Sequence, residues 1–351
     1  MDSAALLPPR LTQLSHGGGC GCKVAPAALR EIIRKTAPAV VPERLLVGIE
    51  TGDDAAVYQI NDTQAIVATT DFFMPIVDDP YDFGAIAATN ALSDVYAMGG
   101  VPLFALALVG MPVDKLPVAT IRRILEGGEA VCSAAGIPVA GGHTIDAVEP
   151  IYGLVAIGQV DPRNVKRNAG ARPGDVLVLG KPLGVGIYSA ALKKQQLDVD
   201  HYLAMLAVAT KLNTPGTTLG RMSEVHALTD VTGFGLLGHL LAMCRASNVG
   251  AKLSFDALPL LPDILEFIRA GMVTGASNRN WASYRSEVDL GRGVDDAKRA
   301  LLTDPQTSGG LLVACAPEIV TQLLALFRDQ GFAQAAAIGE IVAGPTRVAV
   351  N

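Results

Sequence analysis

Residues 45–60 read LLVGIETGDDAAVYQI, two apolar segments separated by a short acidic turn. The apolar segments 45–49 and 55–60 predict two strands, and residues 65–70 predict a third strand that ends at Asp71. Carboxylates at strand ends lie where open α/β folds commonly place ligands. Because crowded acids repel one another unless a cation joins them, Asp53, Asp54 and Asp71 predict a binding site rather than simple turns.

Residues 82–98 predict a long, largely buried helix that stops at Gly99-Gly100. Most of its side chains are small and apolar, but Asn90 and Asp94 stand four positions apart and therefore share one face. Polar groups on a buried face need partners inside the fold. These partners could be a ligand or simply neighbouring backbone, and the sequence leaves both open.

The rest of the first half predicts an amphipathic helix at 27–36, strands at 102–110 and 151–160, and a helix at 116–135. A short strand at 137–140 leads into Gly141-Gly142-His143-Thr144, which we interpret as a glycine-rich turn. The backbone N–H groups of such a turn can bind an anion, although a lone histidine there is more often structural.

A polar segment at 161–175 predicts a domain linker, followed by a strand at 176–180 and a turn into a helix through Ala191. Residues 304–310 open a strand at 311–315, and a helix at 317–330 and a strand at 336–342 follow. No P-loop is present, since Gly180-Lys181 is followed by proline.

Gly233, Gly235 and Gly238 match a dinucleotide-binding fingerprint, with Asp256 near the expected acidic position. Against that interpretation, the preceding strand carries Thr229 and Asp230, where a buried parallel strand should be apolar. Glycines that let a helix start tightly after a ligand-bearing Asp230 explain the pattern as well.

Near the N-terminus, residues 16–23 read HGGGCGCK. The glycines loosen the backbone, a lysine beside a cysteine favours the reactive thiolate, and Lys23 can meet phosphate oxygens. The stretch therefore predicts a mobile reactive arm. The alternative is half of a zinc site, but Cys132, Cys244 and Cys315 are isolated in apolar surroundings typical of buried free thiols.

The 351 residues suffice for two domains, and a composition that is 50% hydrophobic and 18% charged argues against disorder. A net charge of −6 without basic blocks argues against direct nucleic-acid binding. The odd number of cysteines, the lack of a signal peptide and the lack of a membrane-spanning apolar run predict a soluble cytoplasmic protein that does not bind membranes.

Several of these segments together resemble the selenophosphate synthetase (selenide, water dikinase) family. They are residues 16–23, 51–57, 70–75, 88–94, 141–143, 229–238 and 304–310, and the resemblance runs from Leu11 to the C-terminus. The acidic and glycine motifs alone resemble the wider superfamily of aminoimidazole ribonucleotide synthetase, thiamine monophosphate kinase and hydrogenase-maturation proteins. The glycine-rich arm with its thiols and lysine is similar to the selenium branch.

The resemblance implies an α+β fold of the two-domain aminoimidazole ribonucleotide synthetase type, with mixed sheets packed against helices. It implies a flexible catalytic arm at 1–25, an N-terminal domain at 26–162 that binds ATP and magnesium, and a C-terminal domain at 175–351. It also implies a homodimer whose strands form a shared β-barrel.

The implied reaction converts ATP, hydrogen selenide and water into selenophosphate, AMP and phosphate, which supplies selenium for selenocysteine and selenouridine synthesis. Mg²⁺ is the implied cofactor, and selenium-delivery and selenophosphate-using enzymes are the implied partners. By position, the resemblance implies three sets of site residues: catalytic Cys20 and Lys23; metal ligands Asp54, Asp94 and Asp230; and nucleotide contacts Lys23, Thr51, Gly52, Asp53, Asp71, Asp94, Gly142, His143 and Thr144.

Two other hypotheses remain open at this point. A related ATP-using enzyme would phosphorylate an organic acceptor, and the acceptor that stimulates ATP breakdown would distinguish it. A non-catalytic thiol protein would bind metal or selenium through the arm without ATP turnover.

Overall fold

The computed structural model describes residues 9–24, 28–29, 31–32, 41–49 and 52–351. Within these ranges the chain forms two mixed sheets, each packed against helices. The α+β fold predicted from the sequence is therefore confirmed. The helix predicted at 27–36 lies largely outside the described residues, and Thr51 lies outside them altogether.

The first sheet has six strands in the order β1-β2-β3-β6-β4-β5. All its neighbouring strands are antiparallel except the parallel pair β4 and β5. The strands are β1 (Leu45–Val47), β2 (Ala56–Asn61), β3 (Gln64–Phe73), β4 (Val101–Met111), β5 (Val139–Asp146) and β6 (Ile151–Val160).

Helices α1 (Pro80–Ala97) and α2 (Val118–Ala134) accompany this sheet. Asp79 caps α1 by accepting a hydrogen bond from the Asp82 backbone N–H, and Pro80 fits the first helical turn. The two helices approach so closely that a Cβ on Gly84 would lie 1.8 Å from the Ile124 carbonyl oxygen. This close packing buries α1 almost completely and holds its polar face in a fixed position.

The second sheet has seven strands in the order β10-β13-β9-β12-β7-β11-β8. They are β7 (Val176–Leu179), β8 (Val225–Asp230), β9 (Gly250–Leu253), β10 (Val288–Leu290), β11 (Leu311–Cys315), β12 (Ala336–Val342) and β13 (Val348–Val350). Its helices are α3 (Val185–Lys193), α4 (Val199–Ala209), α5 (Pro215–Gly220), α6 (Gly235–Ser247), α7 (Ile264–Arg269), α8 (Gly275–Tyr284), α9 (Asp296–Leu302) and α10 (Val320–Asp329).

The dinucleotide-fold interpretation of Gly233, Gly235 and Gly238 is wrong. Strand β8, which precedes these glycines, is an edge strand that pairs antiparallel with β11. The dinucleotide fold instead requires a parallel strand–helix–strand unit at this place. The glycines serve a close approach, because a Cβ on Gly233 would lie 2.6 Å from the Cys20 carbonyl oxygen.

The glycine-rich turn expected at residues 141–144 is also absent, because these residues continue the edge strand β5. The register against β4 shifts between Ala105 and Ala107, which pair with Val139 and Gly142, so the extra residue makes a β-bulge. A Cβ on Gly142 would lie 2.2 Å from the Ala107 carbonyl oxygen. The glycine pair thus permits close strand pairing, not a turn.

Asp71 was predicted to end the third strand, but β3 continues two residues further, to Phe73. Since neighbouring residues of a strand point to opposite faces, Asp71 is buried while Phe72 is 50% exposed on the other face. That outer face of the sheet also carries Tyr58 and Leu103, which are 41% and 37% exposed.

Candidate active site

The candidate active site lies where the arm, helix α1 and the ends of β3 and β8 meet. Its residues are far apart in sequence: Cys20 and Lys23 come from the arm, and Asp54 from the loop before β2. Asp71 is on β3, Asn90, Ser93 and Asp94 are on α1, and Asp230 ends β8. Hydrogen bonds connect these elements directly, as the following contacts show.

Asn90 is the contact point between the arm and the rest of the site. The Cys20 thiol donates to Asn90 Oδ1 at 3.2 Å, and the Ser308 backbone N–H donates to the same oxygen at 2.7 Å. Asn90 Nδ2 donates to Asp71 Oδ2 at 2.7 Å. Asn90 thus binds three different segments of the chain and not its own helix.

Lys23 extends from the arm to the same carboxylate. Its Nζ lies 3.1 Å from Asp71 Oδ2, and its side chain remains 38% exposed. Burial alone would lower the pKa of Lys23, but the charges of Asp71 and Asp94 and the hydrogen bond to Asp71 outweigh burial and raise it. Lys23 is therefore a cation at the edge of the acidic group, by which we mean the cluster of carboxylates formed by Asp54, Asp71, Asp94 and Asp230.

Each of the three aspartates that the sequence predicts as metal ligands has a hydroxyl neighbour. Thr229 donates to Asp54 Oδ1 at 2.8 Å, Thr69 to Asp94 Oδ2 at 2.5 Å, and Ser93 to Asp230 Oδ2 at 2.5 Å. These bonds orient the carboxylates but leave acceptor capacity unused, since Asp54 Oδ2 is buried without a hydrogen-bond partner.

Burial raises the pKa of Asp54 and of Asp94 well above the usual range, and in both cases the charge of Asp230 adds to the effect. Burial also raises the pKa of Asp230 to about 6. The three carboxylates therefore lie close enough to repel one another. Hard carboxylate oxygens with unused acceptor capacity suit a divalent cation such as Mg²⁺, so these residues fit such an ion. In the arrangement seen here, no three or more His, Cys, Asp or Glu side chains of the described residues lie so that they could hold a metal ion together without moving.

The thiol of Cys20 differs from the sequence-based expectation of a thiolate. Its side chain is only 1% exposed, and this burial raises the pKa of Cys20 although Lys23 acts in the opposite direction. The sulfur is accordingly a protonated donor to Asn90 in this arrangement. Desolvation exceeds the charge effect because the arm closes over the thiol completely.

Other predicted residues do not join this group within one chain. Asp71 aligns across β6 and β4 with Leu154, Ala107 and Gly142, so three strand spacings, about 14 Å, separate Asp71 from Gly142. His143 and Thr144 are exposed on the same edge strand. Gly52 and Asp53 instead contact the segment after β6: Asn168 donates its backbone N–H to Asp53 at 2.6 Å and its side-chain N–H to the Gly52 carbonyl at 3.0 Å.

Five polar residues of this site were not assigned from the sequence, namely Thr69, Ser93, Thr229, Thr307 and Ser308. Thr307 accepts the Cys20 backbone N–H at 3.1 Å, and Ser308 has a left-handed backbone (φ 56°) that directs its N–H toward Asn90. The signal for these two was available, because the polar pair Thr307-Ser308 precedes Gly309-Gly310 and the apolar strand β11. Ser93 and Thr69 had no such signal, since they lie within a helix and a strand, whereas Thr229 stood out as a polar residue where a buried strand should be apolar.

The arm does not form half of a zinc site among the described residues. Cys132, Cys244 and Cys315 are each buried among apolar side chains of the two domains. They behave as small hydrophobic residues. In the part of the chain that the structure describes, no helix is long and apolar enough to cross a membrane.

Comparison with known proteins shows first that the chain is an AIR synthase related protein. Residues 52–160 match the family model of the AIR synthase related protein N-terminal domain, and residues 172–351 match its C-terminal domain. Among solved structures, thiamine-monophosphate kinase from Stenotrophomonas maltophilia has a TM-score of 0.64 at 25% identity, covering 93% of this chain and 97% of that one. The hydrogenase-maturation protein HypE from E. coli has a TM-score of 0.63 at 19% identity, covering 92% and 93%, and supports the fold alone.

Curated relatives are much more similar. The selenide, water dikinase of Burkholderia pseudomallei is 65% identical over 350 residues, which are 100% of this chain and 98% of that protein. That of Rhizobium meliloti is 55% identical over 344 residues, covering 98% and 99%. The chain belongs to the selenide, water dikinase family.

Proposed function

We propose that the chain catalyses the conversion of ATP, hydrogen selenide and water into selenophosphate, AMP and phosphate. The observation that carries this proposal is the bridge by which Asn90 links the Cys20 thiol to Asp71, while Lys23 contacts the same carboxylate. A soft nucleophile, a cation and a group of acids thereby lie together. This combination suits the transfer of a phosphoryl group to a soft anion.

The acids are proposed to bind ATP through Mg²⁺, with Asp54, Asp94 and Asp230 as its ligands. Bound there, Mg²⁺ would neutralise charge on the phosphate oxygens of ATP. The unpartnered Asp54 Oδ2 supports this role, because a buried carboxylate oxygen without a donor is costly unless a ligand satisfies it.

Lys23 is proposed to stabilise negative charge on the transferring phosphoryl group, for which its raised pKa keeps it protonated. Cys20 is proposed to hold the selenium atom, since sulfur and selenium are both soft. The near-complete burial of Cys20 supports a further role of the arm in excluding water, which otherwise competes for the phosphoryl group.

We further propose that two copies of the chain form a homodimer with a shared β-barrel. The support is an apolar outer face on the first sheet and an exposed edge strand β5, both of which a second copy would cover. Gly142, His143 and Thr144 lie on that edge, about 14 Å from Asp71. Their predicted nucleotide contacts, like those of Thr51, Gly52 and Asp53, therefore belong to the assembled dimer in this proposal.

The proposed domains are the arm at 1–25, the ATP- and Mg²⁺-binding domain at 26–162 and the second domain at 175–351. The proposed location is the cytoplasm, where selenium-delivery enzymes would supply the substrate. Enzymes that make selenocysteine and selenouridine would use the product. We propose no nucleic-acid partner, because the net charge is −6 and the sequence has no basic block.

A comparison of acceptors tests the proposed function. Purified protein is incubated with ATP and Mg²⁺, together with either hydrogen selenide or thiamine monophosphate, and ATP consumption is followed. Hydrogen selenide should stimulate ATP consumption, and thiamine monophosphate should not. Stimulation by thiamine monophosphate instead would favour a kinase acting on an organic acceptor, and metal binding without any turnover would favour a non-catalytic thiol protein.

A further inference from the structure

A cavity of about 410 Å³ lies against the arm. Its wall includes Gly17, Gly18 and Gly21 of the arm, together with Cys22, Lys193 and Arg279. Neither Cys20 nor any of the three candidate metal ligands lines it. The cavity is therefore a separate compartment that shares only the arm with the candidate active site.

The arm presents one thiol to each compartment. Residues Gly19–Cys22 form a 3-10 helix, in which three residues make one turn. Side chains two positions apart in such a turn point in different directions, so Cys20 is buried against Asn90 while Cys22 faces the cavity. In the sequence, only Gly21 separates the two cysteines.

Two cations flank the cavity, and both contact the arm. Lys193 Nζ donates to the Ser15 carbonyl at 2.9 Å, and an Arg279 guanidinium N–H donates to the Gly21 carbonyl at 3.0 Å. Both side chains keep further N–H donors for a ligand. Within the described residues, no carboxylate lies at ion-pair distance from either of them.

The negative charge that acts on this compartment is that of Glu149, which is paired with His16 at 2.9 Å. Burial raises the pKa of Cys22 to about 11, so its sulfur is protonated at neutral pH and can donate an S–H hydrogen bond. Glu149 also interacts electrostatically with Lys193, but it makes no ion pair with Lys193 or Arg279. A thiol donor beside two cations favours a small, soft anion over a cation or an apolar ligand.

We propose that this cavity is the receiving site for the hydrogen selenide anion, bound by Lys193, Arg279 and Cys22 before it reaches Cys20. The inference rests on the proposed function and deepens it by assigning the place where selenide enters. Charged residues at the mouth of a cleft raise the local concentration of an oppositely charged substrate. Loss of the site should therefore raise the KM for selenide and leave the rate of the chemical step unchanged.

The first test measures selenide-dependent AMP formation by the Lys193→Gln/Arg279→Gln variant. Glutamine removes the charge and, because its side chain is shorter, also gives up the contact with the arm carbonyl, so a role limited to tethering the arm predicts that kcat and the KM for ATP change together with the KM for selenide. We expect the KM for selenide to rise about tenfold, with kcat and the KM for ATP near wild type. Lysine in place of glutamine at position 279 (Arg279→Lys) should restore most of the affinity for selenide. The matched control is Lys194→Gln, because Lys194 contacts the Gly271 carbonyl and not the arm.

An unchanged KM for selenide in the double variant would overturn the proposal, and so would equal changes in kcat and the KM for ATP. A second test is independent of turnover: crystals of the wild type and the double variant are soaked in iodide, a soft anion located by its anomalous signal. Iodide should occupy the wild-type cavity and be absent from the variant. An empty wild-type cavity, or iodide bound while the KM for selenide stays unchanged (an adventitious ion only), counts against the site.

These two tests separate the inference from the proposed function. A wild-type protein that forms no AMP with selenide contradicts the function, whereas a normal wild type with an insensitive double variant contradicts only the cavity assignment. If turnover fails but iodide binds in a charge-dependent manner, the cavity stands as a soft-anion site. In that case its assignment to selenide is withdrawn.

Discussion

The Cys20 thiol donates a hydrogen bond to Asn90 Oδ1 at 3.2 Å, which joins the glycine-rich arm to the most deeply buried helix of the first domain. The same amide holds Asp71 and the Ser308 backbone. Asn90 therefore helps to position the thiol, together with Thr307 at the Cys20 backbone N–H, without contributing chemistry of its own.

Asn90→Ala should lower selenide-dependent kcat by about 100-fold, because the thiol and Asp71 lose their shared support. It should also lower the free energy of unfolding by about 1–3 kcal/mol, since Ser308 N–H loses its acceptor in a buried place. Steady-state assays and urea unfolding measure the two effects. Thr89→Ala is the control: Thr89 is equally buried but bonds its own helix at the Ala85 carbonyl. Comparable activity losses in both variants would contradict a positioning role.

Cys20→Ser should abolish selenide-dependent ATP consumption while ATP still binds, because oxygen replaces the soft atom and the acidic group stays intact. Isothermal titration with a non-hydrolysable ATP analogue and Mg²⁺ measures the binding. Cys132→Ser, which alters a buried thiol within α2, should keep the activity. Equal loss of binding and turnover in Cys20→Ser would show that the thiol is structural.

Asp94→Asn should weaken Mg²⁺-dependent nucleotide binding and yet raise the stability of the metal-free protein. Burial and the charge of Asp230 raise the pKa of Asp94, so its ionised form at neutral pH favours unfolding. Thermal unfolding with and without Mg²⁺ measures both effects: the metal should stabilise the wild type more than the variant. The exposed Asp114→Asn should behave as wild type. If Mg²⁺ stabilises Asp94→Asn as strongly as the wild type, Asp94 is no ligand.

Lys181 gives the protein a pH-dependent stability. Its Nζ is buried and donates to the carbonyls of Lys211 and Ser308 at 2.6 and 2.9 Å, and burial lowers its pKa from 10.5 to about 7. Between these values the unfolded chain holds a proton that the folded chain lacks, so the free energy of unfolding should rise with pH in that window. Lys181→Met should flatten this rise in urea-unfolding measurements, whereas exposed Lys252→Met should not. An identical slope in Lys181→Met and wild type would contradict the assignment.

Much of the fold follows from local sequence pattern. The strands 45–60, the small-sided helix α1 and strand β6 were all predicted near their observed positions, because their periodicity and their glycine and proline boundaries are local. Helices α4, α5, α7, α8 and α9 were not predicted. Helices α5, α7 and α9 have only six or seven residues each, whereas α4 has 11 residues and a largely apolar sequence that periodicity could have shown. The bulged strand around Gly142 was mistaken for a turn because glycine pairs mark both, and only the contact with Ala107 decides between them.

The site was partly predictable for a related reason. The acids could be found because carboxylates in apolar segments are conspicuous, but their relative placement depends on contacts across more than a hundred residues, such as Thr229 with Asp54. The protonation of Cys20 was missed, because the neighbouring Lys23 is visible in the sequence and burial is not.

The most direct test of the proposed function measures the nucleotide product. The wild-type protein is supplied with ATP and Mg²⁺, with and without hydrogen selenide under anaerobic conditions, and AMP, ADP and phosphate are quantified. We predict that selenide yields AMP and phosphate in equal amounts together with one selenophosphate, and that little AMP forms without it. ADP as the final product, or AMP formation that does not depend on selenide, would contradict the proposed function.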